Sequence, residues 1–204
     1  MRSTFAFSVV FALFVAGVAR ADEAAKPDEE GFIRNWLVLA PLPFGEGAEN
    51  GTAALGKQQV ADEANLKPKE GDKVKSGDKE IAWKAHKADS HLVDFNAALG
   101  NKTEDSVGYA VCYIVADQEM PGLTLKTGSD DQAKVYLNGK EIFKNEEARA
   151  TEKDQDSNPN VTLQKGVNVI VFKVVNEKED WSGCLRFVDK DDKPVTNVKV
   201  LLAP

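Results

Sequence analysis

From Tyr109 to Leu202 the chain is a succession of short apolar runs closed by glycine, asparagine or aspartate, and that rhythm leaves little room for anything but an antiparallel β-protein. Tyr109, Val111, Tyr113 and Val115 alternate with Ala110, Cys112 and Ile114, so both faces of this strand are apolar and it belongs at the centre of a sheet. Leu123 and Leu125 alternate with Thr124 and Lys126, as in a strand with one wet face. Val135 and Leu137 lead into Asn138-Gly139, a pair that tolerates positive φ and closes tight hairpins, with Ile142 and Phe143 on the return strand. Val161 and Leu163 run into the turn Lys165-Gly166, and Val167 to Val175 is a long β-branched run. Leu185 and Phe187, the polar turn Asp189 to Lys193, and the run from Val195 to Leu202 follow. The predicted fold class is all-β, a jelly-roll β-sandwich, and the same spacing excludes repeated βαβ units.

The first half carries fewer such runs. Phe32 to Phe44 is an apolar strand closed by two prolines, Gly45 to Gly56 has loop composition, and residues 58–66 place Val60, Ala61, Ala64 and Leu66 near helical spacing before Pro68. Pro68 to Lys79 alternates lysine with acids and glycine, the composition of a solvated connection without a binding patch.

At the start of the chain, Arg2 precedes an apolar run from Phe5 to Val18, and Ala19-Arg20-Ala21 matches a small-x-small cleavage pattern. The run is shorter than the roughly 20 residues that cross a bilayer. Residues 1–21 are therefore predicted to be a signal peptide cleaved after Ala21, which gives a secreted or periplasmic product with no transmembrane segment in the mature chain. Residues 22–31 are an acidic, apolar-poor leader expected to be disordered, and 32–204 a single domain. Loss of Arg2 and Arg20 with the signal leaves a formal charge of −9, which argues against nucleic acid as a partner. Cys112 and Cys184 both fall inside predicted strands. In an oxidising compartment such a pair invites a disulfide if the strands are neighbours, and two buried small apolar side chains account for them otherwise.

The segments WLVLAP, an isolated Trp83, YAVCYIV, LKTGSDDQAKVYLNGKEI, RATEKDQD, VTLQKGVNVIVFKVVN and WSGCLRFVD together resemble the galactose-binding-like jelly-roll modules of exported bacterial proteins, over roughly Phe32 to Val198. The GSDD element is similar to the corresponding turn of PA14 lectin-type domains, in which paired aspartates hold calcium and sugar, although Gln132 stands where those domains usually carry glycine. What the resemblance implies is a non-catalytic module with a polysaccharide or glycan partner, with calcium held by Asp130 and Asp131. The alternative is a structural or protein-interaction module of the periplasm or cell surface.

Each candidate residue also has a plainer account. Asp130 and Asp131 supply the hard oxygens calcium prefers, and aspartates equally cap backbone amides in turns. Asp154, Asp156 and Asn158 have calcium-loop spacing, but Pro159 and Lys165 stand where an EF-hand needs glycine and glutamate, so a solvated loop is expected. Trp36 sits in an apolar strand and is assigned to the core, whereas Trp181 follows a polar stretch and is the candidate for an exposed, sugar-stacking plane. Asn138 and Arg149 complete the candidate ligand-binding set, Asn138 being explained as well by its turn. His86, Ser90, His91 and Asp94 are the one local cluster with the residue types of nucleophilic catalysis. Strand spacing separates Ser90 from His91, no G-x-S-x-G elbow is present, and the histidine spacing is not that of H-E-x-x-H, so no enzyme is predicted.

Overall fold

A computed structural model describes residues 24–204. The predicted signal peptide lies outside those residues. Among the described residues no helix is long and apolar enough to cross a membrane. The fold is all-β, a sandwich of antiparallel sheets, as the strand rhythm predicts.

The larger sheet has seven strands, ordered β4 (Lys84–Lys87), β1 (Asn35–Pro43), β6 (Ser106–Ala116), β11 (Gly166–Asn176), β8 (Ala133–Leu137) and β9 (Lys140–Asn145), with β13 (Lys199–Leu201) also pairing β6. The facing sheet has four, ordered β10 (Asp156–Leu163), β7 (Met120–Asp130), β12 (Ser182–Val188) and β5 (Val93–Asp94). β6 and β11 run side by side in unbroken register from Gly166 opposite Ala116 to Asn176 opposite Ser106. They are the two longest apolar runs, so pairing them at the centre removes the most apolar surface from water.

Period two sends the side chains of β6 in two directions. Ala110, Cys112 and Ile114 enter the core between the sheets with Trp36, Leu125, Ile170, Phe172 and Leu185. Tyr109, Val111 and Tyr113 enter a second core on the outer face of the larger sheet, with Leu37, Leu39, Val107 and Val171. That second face needs a cover, and the stretch expected to hold a loop, a short helix and a solvated connection, continued to Trp83, supplies it. Leu55, Val60 and Trp83 are buried against it, with Ala64, Leu66, Val74 and Ile81 packed at its edge. β2 (Lys73–Ser76) and β3 (Lys79–Ala82) form a separate hairpin within this cover. The molecule therefore has a third layer that the alternating lysines and acids conceal.

The helix expected over residues 58–66 is not there. α1 forms earlier, at Gly51–Gly56, where the Asn50 side chain accepts the Ala53 N–H at 2.9 Å. Asp62 adopts a left-handed φ of 54°, leaving only a 3-10 turn at Glu63–Asn65. The leader, expected to be disordered, packs on the domain from Ala25 onward. Ala25 and Val200 exchange both backbone hydrogen bonds, Arg186 donates to the Glu30 carbonyl at 2.8 Å, and Lys153 pairs with Glu30 at 2.7 Å.

The cysteines are free and buried. Cys112 lies on β6 of the larger sheet and Cys184 on β12 of the smaller, so they are not strand neighbours, which corrects the expectation of a disulfide. Burial pushes both thiols up, Cys184 to about 11, so neither is a ready thiolate.

Candidate functional site

Four of the sequence-derived candidates meet at one corner. The GSDD element, Gly128 to Asp131, ends β7, and the loop joining β9 to β10 folds back across the outer face of the smaller sheet to dock on it. A Cβ on Gly128 would lie 2.0 Å from the Glu152 carbonyl oxygen, so this glycine is required by the crossing of the two backbones. Cys184 lies beneath the same loop, its thiol facing the Glu152 carbonyl at 3.7 Å. Thr151 anchors the loop through its hydroxyl, 2.9 Å from the Ser182 hydroxyl. Arg149 pairs with Asp156 and lies 3.4 Å from the Ser129 hydroxyl. Asp131 donates its backbone N–H to Val175 at 2.8 Å and accepts the Glu177 N–H on its carboxylate at 2.8 Å, which joins the end of β7 to the end of β11. Asp130 stands across from Ser182, next to Trp181.

Trp181 is only 1% exposed, which corrects its reading as a loop-tip platform. Its indole stacks on Phe95 with centroids 4.8 Å apart, and its N–H donates to the Val174 carbonyl at 3.3 Å. The apolar ring outweighs the polar residues before it, and Trp36 and Trp83 are buried as well. The corner thus offers a ligand no indole plane. Calcium takes six to eight oxygens, of which the two carboxylates here could supply only part. Asp131 is already bonded to a backbone amide, and among the described residues no three histidine, cysteine, aspartate or glutamate side chains are grouped to share an ion.

Asp130 is nevertheless electrostatically unusual. Burial first, then the Asp131 and Asp180 carboxylates, push its carboxyl from an ordinary 3.8 up to about 6. A carboxyl that holds its proton more tightly when folded stabilises the fold at pH below about 4, and that contribution is lost as pH rises through about 6. Asp130→Asn is therefore expected to raise the melting temperature at pH 7.5 and to leave it unchanged at pH 4. The gain is on the order of 1 kcal/mol once solvent screening of this partly buried group is allowed for. Thermal melts of both proteins across that range check it, and equal melts at pH 7.5 would remove the assignment.

The remaining motif residues serve the fold. Ser90 accepts the Leu92 N–H on its hydroxyl, His91 packs on Phe32 at 5.3 Å, and Asp94 caps α2 (Phe95–Leu99) through the Ala97 N–H at 2.8 Å. The His86 and His91 imidazoles are both pushed below their ordinary value by burial. Asp154 pairs with Arg186 while Asp156 pairs with Arg149, so the D-x-D-x-N spacing converges on nothing.

Asn138 lies at the far end of β8 from this corner, in a separate setting. It closes the predicted hairpin with φ of 51°, followed by Gly139 at 83°. Its side chain accepts the Val169 N–H at 2.8 Å and donates to Asn168 at 2.9 Å, so the turn is fixed to β11. Beside it a groove of about 660 Å³ runs between β9 and β10, the terminal strands of the two sheets. Asn158, Asn160, Thr162 and Gln164 line it together with Lys140 and Glu141, over Leu137, Ile142, Pro159 and Val161. β10 shifts register against β7 between Asn158 and Val161 and again before Leu163, which breaks the regular ladder along the groove.

Two further features escape the motif reading: the gathering of the groove's amides, of which Asn158 figures there only as part of a solvated D-x-D-x-N loop, and a buried pair, Lys173 and Glu63, 2.9 Å apart. A lysine inside the β-branched run Val167 to Val175 is the signal that marks the second, because a charge in a central strand requires a buried partner.

No protein-family model matches the chain, and no curated protein sequence matches it.

Proposed function

We propose that this protein is an exported, non-catalytic module that binds carbohydrate at the loop edges of a jelly-roll β-sandwich, and that the groove between β9 and β10 holds the sugar. The observation that carries the reading is the groove's lining. Each hydroxyl of an uncharged sugar is both donor and acceptor, and amide side chains offer both functions to it. Asn158, Asn160 and Gln164 supply three such groups, Thr162 a hydroxyl, and Leu137, Ile142, Pro159 and Val161 an apolar floor for the sugar's C–H faces. The resemblance to galactose-binding-like modules supports the same ligand class. The corner around Asp130, Asp131 and Arg149 is assigned to holding the β9–β10 loop in place, so binding needs no calcium. A protein-interaction role would favour a broad exposed apolar patch, whereas Val167 is the one large hydrophobic residue exposed among the described residues.

Because the groove has no aromatic ring in its lining, affinity is expected to be modest, with Kd on the order of 0.1–1 mM for a short uncharged oligosaccharide. Calorimetric titration across a panel of oligosaccharides tests this. Asn158→Ala is expected to weaken the best binder about five- to tenfold with its melting temperature unchanged, the loss of about one hydrogen bond to ligand. Binding that survives Asn158→Ala and Gln164→Ala together would place the sugar elsewhere, and a panel with no binder would reject the proposal.

A further inference from the structure

A second concavity of about 320 Å³ adjoins the groove across the Asn138-Gly139 turn, and its character is different. Ala64, Leu66, Val167, Val169 and Pro204 form most of its wall, with Asn65 and Lys67 at the polar margin. Val167 is 49% exposed at the start of β11, while its neighbours Asn168 and Val169 are buried. An isolated surface valine needs no explanation, but this one faces a concave space with four other aliphatic residues around it. Asn138 lines both the groove and the pocket. The wall between them is rigid, since the Asn138 side chain is bonded to Val169 and Asn168 and the space beside Gly139 is filled by Asn65, whose Oδ1 lies 2.3 Å from where a Cβ would stand. A ligand seated among the groove's amides is therefore one turn away from an aliphatic pocket of fixed shape.

We infer that the carbohydrate bound in the groove carries an apolar substituent, an acyl ester or an aglycone, which crosses the Asn138-Gly139 turn and seats against Val167. The inference rests on the carbohydrate reading of the groove. A bare polyol leaves the second pocket filled only with water, and burying an apolar group there returns that water to bulk and covers the exposed valine.

The test uses the sugar selected by the oligosaccharide panel, presented as its methyl glycoside and as its p-nitrophenyl glycoside. The full chain is expected to bind the p-nitrophenyl glycoside about five- to tenfold more tightly, the usual return on burying a small apolar group. Val167→Thr keeps the shape and β-branching of a side chain that is half exposed, so the fold is retained. The variant is expected to bind the methyl glycoside as the unaltered protein does and to lose most of the preference. Equal affinity of the unaltered protein for the two glycosides overturns the inference and leaves the carbohydrate reading standing. So does a preference that Val167→Thr keeps in full, which would seat the substituent somewhere else. Failure of the whole panel removes the carbohydrate reading, and this inference with it.

Discussion

Glu63→Ala is expected to cost about 3–5 kcal/mol, because it leaves an ammonium buried without a counter-charge. The Lys173 side chain is fully buried on the outer face of the larger sheet, and its ammonium has three hydrogens and three acceptors: the Glu63 carboxylate at 2.9 Å, the Leu55 carbonyl at 3.2 Å and the Lys57 carbonyl. Glu63 also accepts the Tyr109 hydroxyl at 2.5 Å and the Tyr136 hydroxyl at 2.7 Å. Burial and the Glu63 charge push both phenols well above their ordinary ionisation, so both remain donors. Burial pushes the Lys173 ammonium in the opposite direction, downward, and the Glu63 carboxylate works against that shift. Removing the carboxylate therefore strands one charge and the Tyr136 hydroxyl, and leaves the Tyr109 hydroxyl only the Gln59 side-chain oxygen at 3.1 Å. It also cuts the polar tie between the 3-10 turn of the third layer and the sheet beneath it. Urea denaturation gives the loss directly. Glu63→Gln combined with Lys173→Met is expected to lose less than the sum of the two single changes, since the second removes the charge that the first leaves unpaired. A loss below about 1 kcal/mol for Glu63→Ala would mean that the cover opens and water reaches Lys173.

Trp181→Ala is expected to cost a similar amount, about 3–5 kcal/mol, and to do so without acting selectively on ligand binding. The indole fills the space between β11 and α2, stacked on Phe95, and the packing there is close enough that a Cβ on Gly108 would lie 2.6 Å from Phe95 and 2.7 Å from Trp181. The small residue on β6 and the large one beside β12 are thus a matched pair. Truncating the tryptophan opens a cavity that a rigid strand cannot collapse into. Urea midpoints give the stability. Titration at a temperature where the variant is still folded gives the binding, which is expected to be unchanged because the β9–β10 groove lies away from this residue. A variant of ordinary stability that has lost all binding would restore Trp181 as a ligand contact.

The contrast between β6 and the third layer shows what a single sequence can carry. Tyr109 to Val115 is apolar on both faces, and that alone placed it centrally in a sheet. The same fact implies a cover for the second face. The cover, however, is made of Leu55, Val60 and Trp83, scattered among lysines, acids and glycines, and the one helical spacing in it, Val60 to Leu66, folds into no more than a 3-10 turn. Turn chemistry was legible where one dipeptide determines it, as at Asn138-Gly139, and was not where a tertiary contact overrides local spacing, as where Asp62 ends the expected helix and Glu63 turns inward to Lys173. The candidate site divides in the same way. The convergence of Asp130, Asp131 and Arg149 follows from the GSDD element and the loop that docks on it, which the motif residues already contained. The groove instead depends on two terminal strands from different sheets meeting side by side, and that adjacency is a property of the topology, carried by no local pattern.

Amide chemical-shift mapping of the protein during titration with the best oligosaccharide of the panel tests the groove assignment most directly. Saturable shifts confined to residues 137–142 and 158–164 are expected, with Gly128 to Asp131, Arg149 and Trp181 unmoved and no change on adding calcium or a chelator. Shifts centred on Gly128 to Asp131 and dependent on calcium would contradict it and move the site to the GSDD corner.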